Sequence, residues 1–334
     1  MKIKIHTPKY IYELGLRKNQ EDYIWPEAGK ATTSDRLFVV CDGMGGHEAG
    51  EVASQAVATA VGEWFEQNVA KDSVLTTADM EQAIAHAYRA LDEKDPEQKS
   101  NMGTTLTAVV LHRGGCLVAH MGDSRIYHID TRNRIIRYKS RDHSLVHDLW
   151  AMGEIFQHEM ATHPRRNVIT KAMLSGAGRR QEATIAHITH LTADDYLYLC
   201  SDGMLEQMDD NKILDFLCGP GSDDEKIEEL IRATTGNSDN HSAYLIRIAD
   251  VEREEGDDNL EDDEFVKSDP VGVEEVEMER IDEKERMEND RDTSPSAGQP
   301  SPENRRRTIV WLLVLLLLVV AAIAGAIVKT LYFS

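Results

Sequence analysis

Two stretches of this chain share one design. Leu37-Phe38-Val39-Val40-Cys41 is an apolar run of five residues that stops at Asp42, followed by Gly43-Met44-Gly45-Gly46. Tyr196-Leu197-Tyr198-Leu199-Cys200 repeats the pattern 160 residues later and ends in Ser201-Asp202-Gly203-Met204. A short apolar run bounded by turn residues reads as a buried strand. Glycine after the acid lets the chain turn sharply and lets another group approach the backbone. From Glu48 to about Asn68 the chain is rich in Ala, Val, Glu and Gln and reads as a helix. Two buried strands, each ended by Asp-Gly-Met, point to two carboxylates converging on one site. We read that site as a divalent-metal centre.

Residues 1–250 supply the scaffold for it. Strands are expected at roughly 3–6, 37–41, 104–111, 116–121, 125–130, 134–139, 184–190, 196–201 and 243–248. Several follow one another through short turns such as Arg113-Gly114-Gly115 and Gly122-Asp123-Ser124, which implies antiparallel pairing. Helices are expected at roughly 48–68, 78–93, 143–152, 209–217 and 223–235. Many antiparallel strands with helices inserted between runs make an α+β layered fold. The N-terminus, Met1-Lys2-Ile3-Lys4-Ile5-His6, alternates like a strand and lacks a signal-peptide pattern.

Beyond residue 250 the composition changes. Residues 251–304 hold 21 acids against 6 bases and so carry −15 of the net charge of −22. With few large apolar side chains to bury, this segment is expected to be an extended, self-repelling linker, with a charged helix at 272–290 as the alternative. Thr308 to Val328 is then 21 residues without a charge. At ~1.5 Å per residue, such a helix spans a bilayer core of ~30 Å. Arg305-Arg306-Arg307 before it, against a single Lys329 after it, favours a cytoplasmic N-terminal side. The expected organisation is a domain at 1–250, an acidic linker at 251–304 and a membrane anchor at 305–334. The protein would then be single-pass and tail-anchored, with the 1–250 domain cytoplasmic.

The mildly acidic domain offers no basic face for nucleic acid. The four cysteines, Cys41, Cys116, Cys200 and Cys218, form no Cys-x-x-Cys pair and read as buried reduced thiols of a cytoplasmic protein. Gly43-Met44-Gly45-Gly46-His47-Glu48 fails the Gly-x-Gly-x-x-Gly pattern, and no Gly-Lys-Ser/Thr follows, so neither nucleotide loop is present.

Five acidic turn or strand-end elements stand out: Arg17-Lys18-Asn19-Gln20-Glu21-Asp22, Asp42-Gly43, Gly122-Asp123-Ser124-Arg125, Asp202-Gly203 and Ser238-Asp239-Asn240. Any one alone is an ordinary solvated turn. Five beside apolar strands or helices form a set of hard oxygen donors, suited to Mg²⁺ or Mn²⁺ rather than zinc or copper.

Taken with Gly103-Thr104-Thr105, Asp142-His143-Ser144 and His163-Pro164, these motifs in this order resemble the metal-dependent serine/threonine phosphatases of the PP2C (PPM) family, of the bacterial type. The resemblance covers roughly residues 5–250. It implies a four-layer α-β-β-α sandwich of two antiparallel sheets flanked by helices, with metals at one end. By position, Asp42 resembles the carboxylate that bridges two metals, and Gly43 the residue whose carbonyl binds one of them. Asp202 and Asp239 are similar to the ligands of the other metal. Glu21 and Asp22 resemble acids that hold metal-bound waters, and Asp123 the residue that shares a third, looser metal with Asp202. Arg17 resembles the phosphate clamp, whose fork can grip two phosphate oxygens. Its alternative is a surface ion pair with Glu21, four positions on.

The implied chemistry is hydrolysis of phosphoserine and phosphothreonine in proteins. Two cations about 3.5–4 Å apart would lower the pKa of a shared water, and the resulting hydroxide would attack phosphorus in line. Two or three Mn²⁺ or Mg²⁺ ions per domain are expected, with phosphorylated proteins as substrates and a Ser/Thr kinase as the opposing partner at the membrane. No cysteine has an arginine six positions later, so the cysteine-nucleophile phosphatase loop is absent. Met44 stands where some family members carry a histidine, which leaves the general acid open between a metal-bound water, His47, His143 and His163. Residues 143–180 resemble the flap that varies between members. The competing reading is a catalytically inactive, membrane-tethered phosphoprotein-binding module; retention of Asp42, Asp202 and Asp239 argues against it.

Overall fold

The apolar runs fold as strands, and their alternation decides which layer each side chain enters. The computed structural model describes residues 2–45, 49–70, 73–97, 102–176, 178 and 180–252. The expected linker, the apolar segment at 308–328 and the turn residues Gly46, His47 and Glu48 lie outside the described residues. Among the described residues, no helix is long and apolar enough to cross a membrane.

In chain order the strands are β1 (Lys2–Ile5), β2 (Lys9–Glu13), β3 (Asp22–Trp25), β4 (Leu37–Met44), β5 (Gly103–Thr104), β6 (Leu106–His112) and β7 (Gly115–Met121). They continue with β8 (Arg125–Asp130), β9 (Ile135–Lys139), β10 (Met173–Leu174), β11 (Thr184–Ile188), β12 (Tyr196–Cys200) and β13 (His241–Glu252). The helices are α1 (Ala49–Asn68), α2 (Thr77–Lys94), α3 (Leu145–Ala151), α4 (Gln157–Met160), α5 (Asp210–Leu217) and α6 (Asp223–Ala233). One sheet runs β1-β13-β12-β8-β9, with β2 also on β13; the other runs β10-β5-β4-β6-β7-β11, with β3 also on β4.

Period-two alternation builds the layers. Phe38 and Val40 of β4 enter a core shared with Leu197, Leu199, Tyr244 and Ile246 of the opposite sheet. Val39 and Cys41 point the other way, onto Val57 and Val61 of α1 and Ala83 and Leu91 of α2. On the outer face of the first sheet, Tyr127, Tyr198 and Leu245 pack on Ile213 and Leu217 of α5 and Leu230 of α6. The order is helix, sheet, sheet, helix, as the resemblance implies. Full burial of each large apolar side chain contributes about 1.5–3 kcal/mol relative to exposure. Capping sets where the outer helices start. Asp209 accepts the Lys212 N–H at 2.8 Å, and the Glu225 carboxylate reaches back to the Ser222 N–H at 2.7 Å.

Three features differ from the sequence expectation. β4 does not stop at Cys41: it continues through Met44, because Gly43 pairs with Thr104 and Met44 with Gly103. Asp42 therefore lies inside a strand, directly across from Asp22 of β3. β2, β3, the two-residue β10 and the one-turn α4 lie outside the expected elements; each is too short to stand out as a periodic or apolar run. The segment expected as one strand at 104–111 is split into β5 and β6 at Thr105, a residue the site uses.

Candidate metal centre

Antiparallel order gathers the acids. β3 opens at Asp22 beside the far end of β4 with Asp42. Cys200, which closes β12, is flanked by Arg125 of β8 and Ala243 of β13. Asp123 just before β8, Asp202 just after β12 and Asp239 just before β13 therefore meet at one end of the sandwich.

The backbone around Asp42 is held on both sides. Its N–H donates to Thr105 Oγ1 at 2.9 Å, and its carbonyl accepts from the Thr105 N–H at 2.8 Å and the Thr104 hydroxyl at 2.9 Å. Thr105 Oγ1 also meets Ser124 Oγ at 2.8 Å, tying the Asp42 strand to the Asp123 turn. Gly43 donates its N–H to Glu21 O at 3.0 Å. A Cβ at Gly43 would lie 2.1 Å from Gly50 O, so only glycine lets the first turn of α1 come this close.

The side chains form a like-charged, desolvated group. Asp22 is 1% exposed; its Oδ2 accepts from the Ser201 hydroxyl at 2.8 Å. Burial first, then Asp202 and Asp239, pushes the Asp22 carboxyl up to about 7, partly opposed by Ser201. Burial together with Asp22, Asp202 and Asp123 holds Asp42 well above the usual carboxylate range. Burial and then Asp202 push Asp123 up to about 8. Asp202 is raised by burial and then by Asp239. One oxygen each of Asp22, Asp123 and Asp202 is buried with no hydrogen-bond partner. Buried carboxylates normally find partners, and like charges in one desolvated site destabilise one another. Orphaned hard oxygens in mutual repulsion are a donor set that a divalent cation fits.

Arg17 and Asp239 meet each other: Arg17 Nη2 lies 2.6 Å from Asp239 Oδ2. The partner is Asp239 rather than the Glu21 of the alternative ion-pair reading. The other Asp239 oxygen accepts the Asn240 N–H at 2.8 Å. Among the described residues, no group of three or more acid, histidine or cysteine side chains is placed to hold a metal ion as it stands. Both Asp239 oxygens are engaged by neighbours, while the other acids converge beside it. Glu21 is partly buried and its carboxyl is raised by burial, with Arg17 opposing.

His143 is not placed to serve as a general acid. It is 6% exposed; its Nδ1 accepts the Gly122 N–H at 3.2 Å and its Nε2 meets Thr184 Oγ1 at 3.0 Å. Its ring stacks on His120 at 4.7 Å, and burial pulls its pKa down to about 3. Thr105, Ser201 and Asn240 bond Asp42, Asp22 and Glu21, and the motif reading gives them no role although all three lie within quoted motifs.

A family model for protein phosphatase 2C matches residues 19–233, more than half of the chain. The chain belongs to the protein phosphatase 2C family. As a member of that family it is an enzyme, a protein phosphatase. It is 31% identical over 218 residues to the serine/threonine phosphatase stp of Listeria welshimeri, a match covering 63% of this chain and 83% of that protein. The serine/threonine phosphatase PstP/Ppp of Mycobacterium tuberculosis superposes with a TM-score of 0.64 at 29% identity, over 74% of this chain and 100% of that one. The catalytic domain of PstP in complex with two manganese ions superposes with a TM-score of 0.62 at 28% identity, over 75% and 100%.

Proposed function

We propose that this phosphatase hydrolyses phosphoserine and phosphothreonine in proteins with Mn²⁺ or Mg²⁺ as cofactor. The observation that carries this reading is the gathering of Asp22, Asp42, Asp123 and Asp202 from four separate segments beside Arg17, with three carboxylate oxygens buried and unpartnered. Relatives named serine/threonine phosphatases and the manganese complex of PstP support it. Asp42, the Gly43 carbonyl, Asp202 and Asp239 would hold two ions, Glu21 and Asp22 would act through waters, and Asp123 would join Asp202 at a third. When bound, the cations supply Lewis acidity, offsetting phosphoryl charge and lowering the pKa of water.

The chain's own residues do the rest. The Arg17 guanidinium is half exposed, so its fork can take phosphate oxygens while Asp239 fixes its orientation. No cysteine has a lowered thiol pKa; even Cys218, only partly buried against the expectation of a buried thiol, is raised by burial. Cys41, Cys116 and Cys200 are fully buried, and burial raises each thiol, that of Cys200 to about 12. Release of phosphate from a phosphothreonine peptide should require added Mn²⁺ or Mg²⁺, stop with EDTA, and exceed release from a sugar phosphate. Hydrolysis that persists unchanged in chelator would overturn the metal-dependent reading.

The acid cluster also predicts a stability signature. A carboxyl whose folded pKa is raised stabilises the fold below its unfolded pKa, and that stability is lost as pH rises through the folded value. For Asp22 and Asp123 this window runs from about 4 up to about 7 and about 8. Asp130 and Asp142 are shifted the other way and titrate below it. The buried histidines His112, His143 and His147, lowered to about 4, 3 and 4, oppose it at the acid end, because they favour the fold only above the ordinary imidazole value of ~6.5. In EDTA the protein should therefore lose melting temperature from pH 7 to pH 8.5, a range above the histidine window. Added Mn²⁺ should raise the melting temperature more at pH 8.5. A thermal-shift series in which Mn²⁺ changes nothing at either pH would count against the cluster as a metal site.

We also infer that the enzyme works at a membrane, opposing a Ser/Thr kinase, with 308–328 as its anchor. Supporting this, β13 starts beside Asp239 and ends at Glu252, about 36 Å away at ~3.3 Å per residue. A tether beyond Glu252 would start from the end of the sandwich opposite the acids. A fragment ending at Glu252 should be soluble and retain metal-dependent activity. A folded but inactive fragment would show that the tail does more than tether.

A further inference from the structure

The loop that carries Arg17 has little structure of its own. Residues 14–20 form no strand or helix; Leu16 is 74% exposed, and Arg17 projects from the surface. A clamp on a loose loop loses much of its effect, because effective positioning depends on orientation set before substrate arrives. Gln20 bonds Glu13 O and the Asp22 N–H, and Glu21 O is held by Gly43 and Ser54; the hydrogen bonds that hold residues 14–19 to the rest of the fold run to one short segment, Asn237–Asn240.

Asn240 makes two of them. The residue is 3% exposed. Nδ2 donates to Leu14 O at 2.9 Å and to Asn19 O at 3.0 Å, so one amide spans both ends of the loop. Oδ1 accepts the Glu21 N–H at 2.8 Å. Leu16 N–H adds a bond to Asn237 O at 3.1 Å. Gly15 lies flat on the same segment with φ +61°; a Cβ there would fall 2.1 Å from Asp239 O. Asn237 in turn donates from Nδ2 to Gly203 O at 2.6 Å, which joins the assembly to the Asp202 turn.

We propose that Asn240 is a positioning residue for the phosphate clamp: its side-chain amide latches the 14–21 loop so that Arg17 and Glu21 stand fixed over the acid cluster. The proposal rests on the phosphatase reading for what Arg17 grips, but the latch itself is a structural claim that can be read without activity. Only asparagine meets the requirement at this position. Aspartate has the same size and keeps an acceptor for Glu21 N–H, but it presents an acceptor to two carbonyl oxygens. Alanine removes all three bonds.

The test uses the full-length enzyme with Mn²⁺ and a phosphothreonine peptide, with N240A, N240D, R17A and the R17A/N240A double variant. N240A should raise KM roughly tenfold, with a smaller change in kcat, in the range of other orienting partners. N240D should be at least as damaging, although its volume is unchanged. The same N240A change on an R17A background should cost less than about threefold, because coupled residues are non-additive. Trypsin should cut after Arg17 or Lys18 several-fold faster in N240A and N240D than in wild type. Equal costs of N240A in both backgrounds, or wild-type KM and trypsin resistance in N240D, would overturn the latch. If the Asn240 variants lose the whole fold, Gly15→Ala pushes the loop off the same 237–240 segment without touching the Asn240 amide and should reproduce the KM rise; a wild-type KM there would overturn the proposal. Should the wild-type enzyme release no phosphate while N240A still opens the loop to trypsin, the phosphatase reading fails and the latch stands.

Discussion

Asp42→Asn should lower turnover on a phosphothreonine peptide by roughly a thousandfold or more, on the order of 4 kcal/mol of transition-state stabilisation. Residues that only orient a metal ligand typically cost about 10- to 100-fold when removed, and Asp42 is at the centre of the acid group rather than behind it. The substitution should leave the fold intact. The Asp42 backbone is held by Thr104 and Thr105 through bonds the side chain does not make. The buried carboxyl is already raised by Asp22, Asp202 and Asp123, so a neutral amide removes repulsion. In EDTA, the variant should melt at least as high as wild type; in Mn²⁺, it should lose most of the stabilisation that wild type gains. Unchanged turnover in a folded Asp42→Asn protein would end the metal-centre reading, and a variant that does not fold would refute the argument from repulsion.

What could be read from the chain alone divides along contact distance. Apolar runs such as 37–41 and 196–200 announce buried strands because burial on both faces demands an unbroken apolar sequence. The acids that follow them are visible because a carboxylate at the edge of such a run has no packing reason to be there. Partners are another matter. Arg17 has Glu21 four positions away, yet it pairs with Asp239, 222 positions away. Asn240 carries an amide of no evident purpose until Leu14 O, 226 positions off, lies against it. The extension of β4 through Met44 depends on pairing with β5 and has no local signal. His143 sits in a motif beside catalytic acids and invites a chemical role; only the bonds to Gly122 and Thr184 show that its ring is committed elsewhere.

The largest stability effect is expected from a charge pair that a sequence reading would leave in solvent. Arg125 Nε and Nη2 donate to Asp142 Oδ1 and Oδ2 at 2.7 and 2.8 Å, a two-pronged contact. Both side chains are largely buried, at 21% and 10% exposure. Burial alone would push the Asp142 carboxyl up, but the Arg125 guanidinium overrides it and holds Asp142 below its ordinary range. Around them Lys139 meets Asp210 at 2.7 Å, and the Tyr127 hydroxyl donates to Asp210 at 3.0 Å. Asp142→Ala leaves the guanidinium with only Asp210 at 3.9 Å and the Tyr127 hydroxyl at 3.2 Å in a desolvated site, and breaking a buried pair in this way typically costs about 3–5 kcal/mol. For a domain of this size that corresponds to a melting temperature lower by roughly 6–20 °C. Replacing both partners with apolar residues, Arg125→Met with Asp142→Leu, should recover much of the loss, because the penalty comes from the unpaired charge and not from a missing attraction. Activity should fall with Asp142→Ala as well. Arg125 is two residues from Asp123, and Asp142 precedes the His143 that holds the Gly122 backbone, so a displaced pair moves the turn on which Asp123 stands. A single Asp142→Ala variant that melts with wild type would mean that water reaches Arg125 and that this end of the sandwich is wetter than its packing indicates.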